Sequence, residues 1–264
     1  MKYTYEQLAK MIDHSLLHPT MTDRELEDGC KLAAKYGAAS VCIKPYAVKH
    51  AVELLQGSGV LVGAVIGFPH GSSATESKRY ETELACRDGA VEIDMVINIG
   101  KALSGDWDYV ERDVRAVCDE AHGRGAKVKV IFENDYLAKG GAGLSSDDFK
   151  KRLCQLCERA GADWVKTSTG YGFVKQPDGS YNYQGATEHD LALMRAGCSP
   201  KVQVKAAGGV RDLDGLIKVR DLGATRCGAT ATAAMMDDYG KRAAAEKAGQ
   251  ALAGSGGAIG AGGY

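Results

Sequence analysis

Eight times along this chain a short β-rich run gives way to a longer stretch with helical spacing, and that alternation limits the possible folds more than any single motif. The runs are MIDHSLL, SVCIKP, VLVGAVIGFP, VEIDMVIN, VKVIFE, WVKTST, VQVKAA and ATRCGAT. Several are almost continuously apolar, as strands covered on both faces must be. Strand and helix in alternation imply a parallel sheet. Eight strands favour an α/β fold closed into a (β/α)8 TIM barrel over an open sheet. A single domain over residues 1–243 is expected, followed by a Gly/Ala-rich, flexible tail over 244–264 that has too little side-chain bulk to pack.

The helical stretches carry their own punctuation. TDRELEDGCKLAAKYG opens on Thr22 as an N-cap and closes on Gly37 as a C-cap. SSDDFKKRLCQLCERAG starts at Ser145 or Ser146 and stops at Gly161. One segment breaks the rhythm. YGFVKQPDGSYNYQGAT, residues 171–187, is polar and aromatic with a Pro-Asp-Gly turn, and predicts a long loop or small hairpin over the strand ends.

Charge and cysteine usage narrow the function. There are 33 basic and 34 acidic residues, giving a net charge of −1. With the signs interspersed, no field favours nucleic acid or an anionic membrane. The opening MKYTYEQLAKMIDH lacks the apolar stretch of a signal peptide, and no run approaches the roughly 18 apolar residues of a spanning helix. The eight cysteines lie mostly inside apolar stretches such as SVCIKP and LACRDGA. Reduced thiols in a cytoplasmic protein are the simplest reading.

Two apolar strands end in a way a core would not choose. WVKTSTG carries Lys166 and VQVKAAGG carries Lys205, each followed by small residues and glycine, and VEIDMVIN carries Asp94. In a parallel barrel, functional groups gather at the C-terminal ends of strands. A lysine with its ordinary pKa near 10.4 is protonated at neutral pH and cannot attack a carbonyl. Burial disfavours the cation, and a second cation close by disfavours it further. Two unit charges about 4 Å apart at an effective dielectric near 20 repel by roughly 4 kcal/mol, enough to lower one amine by up to about three pKa units. A lysine pair can in this way supply a neutral nucleophile for a Schiff base without metal or cofactor, with Asp94 tuning the pair and moving protons.

VKTSTG, VKAAGGVR, EIDMVIN and the opening IDHSLL resemble the motifs of the deoxyribose-phosphate aldolases, a class I, Schiff-base aldolase family, and VKTSTG with KAAGG is a specific combination. The resemblance runs from about residue 8 to residue 240. It implies a lyase that reversibly cleaves 2-deoxy-D-ribose 5-phosphate to acetaldehyde and D-glyceraldehyde 3-phosphate, in nucleoside catabolism. Lys166 would form the imine, Lys205 would lower its pKa and relay protons, and Asp94 would assist with an ordered water. The terminal Tyr264 matches a family habit of ending in a tyrosine on a mobile tail, where a phenol can exchange protons over an open site. A homodimer is a further implication.

The phosphate end has a physical reading of its own. Gly170, Gly208–Gly209, and Gly228 with Thr230 after the last strand can present N–H groups and a hydroxyl to an anion. Here the chain departs from the family pattern. Many members have serines where this one reads GATAT, leaving the Thr230 hydroxyl and none at Ala231. Some have a lysine where this one has Tyr171, and the 171–187 loop is longer than usual. Weaker discrimination between phosphorylated and free substrates is expected.

Other signals are bland. His14 and His18 fall on a strand and turn with no third metal ligand, and Cys154 and Cys157 pack a helix. Cys42 packs near the pocket, and Lys44 is either solvated or on its rim. Another lysine-dependent aldolase or transaldolase-like enzyme, or a barrel that binds a metabolite without turning it over, stands as the alternative.

Overall fold

The computed structural model describes residues 1–249 together with 254, 256, 257, 259 and 260. Ten strands form in chain order. They are β1 (Ile12–Leu16), β2 (Ser40–Ile43), β3 (Leu61–Ile66), β4 (Glu92–Val96), β5 (Lys127–Ile131), β6 (Trp164–Lys166), β7 (Val174–Lys175), β8 (Tyr181–Asn182), β9 (Gln203–Ala207) and β10 (Ala224–Ala229). All eight runs read from the sequence became strands of one closed barrel, in the order β1-β2-β3-β4-β5-β6-β9-β10 and back to β1. Every neighbouring pair in that ring is parallel. The chain is a single (β/α)8 TIM barrel.

The helices obey the caps written in the sequence. Thr22 and Glu25 close a capping box at the start of Asp23–Tyr36, and Gly37 ends that helix in the left-handed conformation at φ 66°. Ser145 rather than Ser146 is the N-cap of Ser146–Ala160, its hydroxyl accepting the Asp148 N–H, and Gly161 terminates it at φ 96°. The last helix, Thr232–Lys247, continues past residue 243, where the sequence places the end of the barrel domain.

Within the strands, alternate residues divide two environments. Ile93 and Met95 of β4, Val128 and Val130 of β5, Val165 of β6, and Val204 and Ala206 of β9 join one apolar shell packed under the helices. Each of the larger of these side chains, the valines, Ile93 and Met95, contributes roughly 1.5–3 kcal/mol by leaving water. The other parity faces the barrel axis, and there the chain places charges: Glu92, Asp94, Lys129, Lys166 and Lys205, all buried. The outer shell makes the fold and leaves the axis available for chemistry.

The 171–187 segment is a hairpin. β7 and β8 pair antiparallel, Val174 with Asn182 and Lys175 with Tyr181. Its turn is held by Asp178, whose carboxylate accepts the Ser180 N–H at 2.9 Å and hydroxyl at 2.7 Å, while Gly179 takes φ 85°.

Candidate active site

Parallel register brings Lys166 and Lys205 side by side, since they are direct partners across β6 and β9. Both aim at one oxygen. Lys166 Nζ and Lys205 Nζ each lie 2.7 Å from Oδ2 of Asp94. The two nitrogens are therefore at most 5.4 Å apart, twice that shared distance. Asp94 is itself the partner of Lys129 on β5, whose Nζ sits 3.1 Å from its Oδ1.

The network extends further along the axis. Asp13 on β1 receives Lys205 Nζ at 2.5 Å and Lys129 Nζ at 3.3 Å, and it accepts the Ser40 hydroxyl at 2.8 Å. Lys129 reaches Glu92 at 2.5 Å, and Arg226 on β10 bridges Glu92 and Asp13 with its two terminal nitrogens. Trp164 borders this end, with Lys127, Lys129 and Arg226 at 5.5, 5.7 and 5.5 Å from its ring centroid.

Counting charges shows which member is out of place. Among the described residues the network holds three carboxylates, Asp13, Glu92 and Asp94, against four cations. Lys129 touches three carboxylates, Lys205 and Arg226 two each, and Lys166 one. A buried charge needs full compensation, so the amine with the fewest partners is the one to shed its proton. The shifts follow that order. Burial lowers Lys166, Asp94 opposes, and the nearby Lys205 cation lowers it again. Burial also works against Lys205, yet Asp13 and Asp94 hold it well above the usual lysine value. Asp13 and Asp94 resist the upward push of burial and lie below the ordinary carboxylate range, held there by the surrounding lysines, with Arg226 also acting on Asp13. With Lys166 neutral, three positive charges meet three negative ones.

The candidate phosphate residues surround the C-terminal mouth. Gly170 follows β6 at φ 94°, and Gly208 and Gly209 follow β9 at φ 93° and 81°. These left-handed positions are ones only glycine adopts freely. Gly228 is a correction. It lies inside β10, not after it, and a Cβ there would stand 3.5 Å from Cε of Lys205 and 3.4 Å from Ala207. Its smallness leaves room for the lysine stem. Thr230 is exposed just beyond β10, and Ala231, N-cap of the last helix, supplies no capping oxygen. Tyr264 lies outside the described residues.

At the ends of β1, β2 and β3, Leu17, Cys42 and Val65 form a small apolar cluster against Phe68 and Tyr171, whose rings meet edge to face at 5.6 Å. A cleft of about 220 Å³ opens there, bordered by Leu17, Val65, Phe68, Tyr171, Lys44 and Glu81. Lys44 therefore stands on the rim, its Nζ donating to the His18 carbonyl at 2.9 Å. Burial pushes the Cys42 thiol up to about 11, which keeps it a packing group. His14 bonds Thr232 at 2.9 Å and His18 bonds Thr20 at 2.8 Å, so the two histidines share nothing.

The sequence profile described as "DeoC/LacD family aldolase" matches residues 7–247. This chain belongs to that aldolase family. It is 49% identical over 240 residues to the deoxyribose-phosphate aldolase of Rhodopirellula baltica, covering 91% of this chain and 92% of that one. It is 43% identical to the enzyme of the same name from Aciduliprofundum boonei, over 85% and 93% of the two chains. Among solved structures, a putative deoxyribose-phosphate aldolase from Coccidioides immitis superposes with a TM-score of 0.78 at 34% identity, covering 90% of this chain and 87% of that one. A deoxyribose phosphate aldolase from Aeropyrum pernix, described as a tetramer, gives 0.77 at 28% identity, over 90% and 92% of the chains.

Sequence reasoning named Lys166, Lys205 and Asp94 and missed Asp13, Glu92, Lys129 and Arg226, the groups that fix which amine is charged. The signal was present. In VEIDMV and KVKVI charged residues recur among apolar ones at the two-residue period of a strand, the mark of one face set apart from the other, and in ATRCGA a lone arginine interrupts the run.

Proposed function

We propose that this aldolase reversibly cleaves 2-deoxy-D-ribose 5-phosphate to acetaldehyde and D-glyceraldehyde 3-phosphate through an imine on Lys166. The observation that carries this reading is the uneven partnership in the axial network, which leaves Lys166 as the amine with one carboxylate while Lys205 has two. In the synthetic direction the Lys166 lone pair attacks the carbonyl carbon of acetaldehyde, and the carbinolamine loses water to give an iminium. A methyl proton leaves to form the enamine. The enamine carbon attacks C1 of glyceraldehyde 3-phosphate, and water then releases the sugar phosphate and restores the amine. Asp94, beside both nitrogens, is placed to carry protons between these steps, and Lys205 stays cationic as acid and electrostatic partner. Two further roles belong to this reading: anion binding by Gly170, Gly208, Gly209 and Thr230, and proton exchange by Tyr264. So do a homodimer and a cytoplasmic setting in sugar phosphate breakdown. Among the described residues no helix is long and apolar enough to cross a membrane.

Borohydride reduction in the presence of acetaldehyde, followed by intact mass and peptide mapping, tests the central step. One reduced two-carbon adduct on Lys166 is expected. An adduct on a different lysine, or none, removes the imine from Lys166 and leaves the metabolite-binding barrel as the reading to pursue.

A further inference from the structure

Glu133 is out of place by every local rule. It directly follows Phe132 at the end of β5 and takes φ 59°, ψ 65°, the left-handed region a side chain rarely enters. Ala142 is the only other non-glycine residue with positive φ among the described residues. The carboxyl of Glu133 is buried, at 1% exposure, and no cation pairs with it in a salt bridge among the described residues. Instead it faces Thr169. The Thr169 N–H donates to Oε1 at 3.2 Å and Oε2 at 3.3 Å, and the Thr169 hydroxyl donates to Oε2. That hydroxyl oxygen in turn accepts the Tyr171 N–H at 2.9 Å. One carboxylate thus fixes both sides of Gly170.

Gly172 completes the arrangement. It has an ordinary φ, so its backbone does not require glycine. Its space does, since a Cβ there would fall 2.5 Å from Cδ of Glu133 and 2.7 Å from Oε1. The backbone just beyond β5 also runs beside the same turn, with the Phe132 N–H donating to Lys166 O and the Asn134 N–H to Thr167 O, both at 3.0 Å.

We propose that Glu133 is a positioning residue, whose grip on Thr169 orients the Gly170 N–H toward the phosphate of the substrate. The inference rests on the placing of the phosphate at Gly170 in the proposed function. A carboxylate with two oxygens can hold the Thr169 N–H and hydroxyl at once, whereas a neutral group offers fewer acceptors. Burial pushes Glu133 up to about 7, Thr169 works against that push and Asp135 adds to it, while Lys166 opposes it only when that amine is protonated. Tyr136, the remaining titratable neighbour, feels the Glu133 charge in return. The group is ionised above that value and protonated below it, so the grip loosens as the pH falls through neutrality.

The test uses the full chain with Glu133→Gln and, as a second route to the same contact, Gly172→Ala. Calorimetric titration with inorganic phosphate at pH 8 needs no turnover, and Kd is expected to rise about tenfold in both variants, the scale of one hydrogen bond to a charged group. KM for 2-deoxyribose 5-phosphate should rise by a similar factor, with kcat and KM for unphosphorylated deoxyribose within about twofold of the unaltered chain. The ratio of the two phosphate Kd values, variant over unaltered, should shrink toward one between pH 8 and pH 6 for Glu133→Gln. Unchanged phosphate affinity in both variants, or equal losses for the phosphorylated and free sugars, overturns the proposal. Imine trapping on Lys166 in parallel separates the two readings: a missing adduct counts against the proposed function, while the phosphate titration judges Glu133 alone.

Discussion

Two lysines of this barrel are buried almost equally and lie in different regions of it. Lys166 stands on the axis, at the end of β6, 3% exposed. Lys78 lies in the outer shell, fully buried, where helix Thr75–Arg87 meets helix Trp107–His122. Each has one carboxylate partner, Asp94 at 2.7 Å and Asp113 at 2.6 Å, and burial lowers both amines. Lys78 also donates to the Val96 carbonyl at 2.9 Å, and Asp113 accepts the Thr75 hydroxyl at 2.8 Å. Its pair closes on itself and pins a helix to the end of β4. A depressed amine is therefore not enough to make a nucleophile. What separates the two is position: Lys166 is the last residue of β6, at the strand ends where barrels of this kind take substrate, and Lys205 stands beside it as a second charge.

Replacing each lysine by methionine breaks that parallel most sharply. Lys166→Met should abolish the acetaldehyde adduct and cut turnover by at least about 10⁴-fold, the scale of losing a covalent nucleophile, with the melting temperature little changed. Lys78→Met should do the reverse. It strands Asp113 without its cation, at a cost of roughly 3–5 kcal/mol, read as a lower urea midpoint, while the folded fraction still forms the adduct. An adduct that survives Lys166→Met would collapse the distinction.

A smaller effect sharpens it. Lys205→Met removes the second charge and leaves Asp94 with Lys166 and Lys129 as its cations. The repulsion that helped lower Lys166 is gone, so its pKa rises. Turnover should fall by about 10²-fold at pH 7 and recover as the pH climbs and Lys166 loses its proton. A pH–rate profile parallel to that of the unaltered chain would mean that Lys205 does not tune its neighbour.

The smallest expected change lies at the mouth. Ala231→Ser restores a hydroxyl at the uncapped start of the last helix and should raise the kcat/KM preference for 2-deoxyribose 5-phosphate over deoxyribose by a few-fold, about one neutral hydrogen bond. In the unaltered chain that preference should lie below about 10⁴. A larger native preference would show that the missing serine and lysine cost the site little.

Much of the fold was legible because its signals are local. Thr22, Gly37, Ser145 and Gly161 each announce a helix end through their own side chain or its absence, and Pro177-Asp178-Gly179 announces a turn. The lysines stood out because a cation interrupts an apolar strand. Asp13 did not, because it stands in a row of three polar residues with His14 and Ser15, and only closure of the barrel brings β1 beside β10. The same closure put Gly228 inside a strand. Glu133 was silent for another reason: nothing in VIFEND marks a left-handed residue, and its partner Thr169 lies 36 positions away.

Of the two tryptophans, one borders the axial charges. Trp107 packs against Phe149 beneath Arg152, remote from the axial charges in the chain of contacts described. Trp164 is faced by three cations, and its indole N–H is anchored to the Thr225 hydroxyl at 3.0 Å. A ring fixed in so strong a field shifts its emission when a proton or a bound carbonyl redistributes the charge around it. Trp164 should therefore act as an optical gauge, and stopped-flow fluorescence of a Trp107→Phe chain mixed with acetaldehyde is expected to show an emission change that Lys166→Met abolishes.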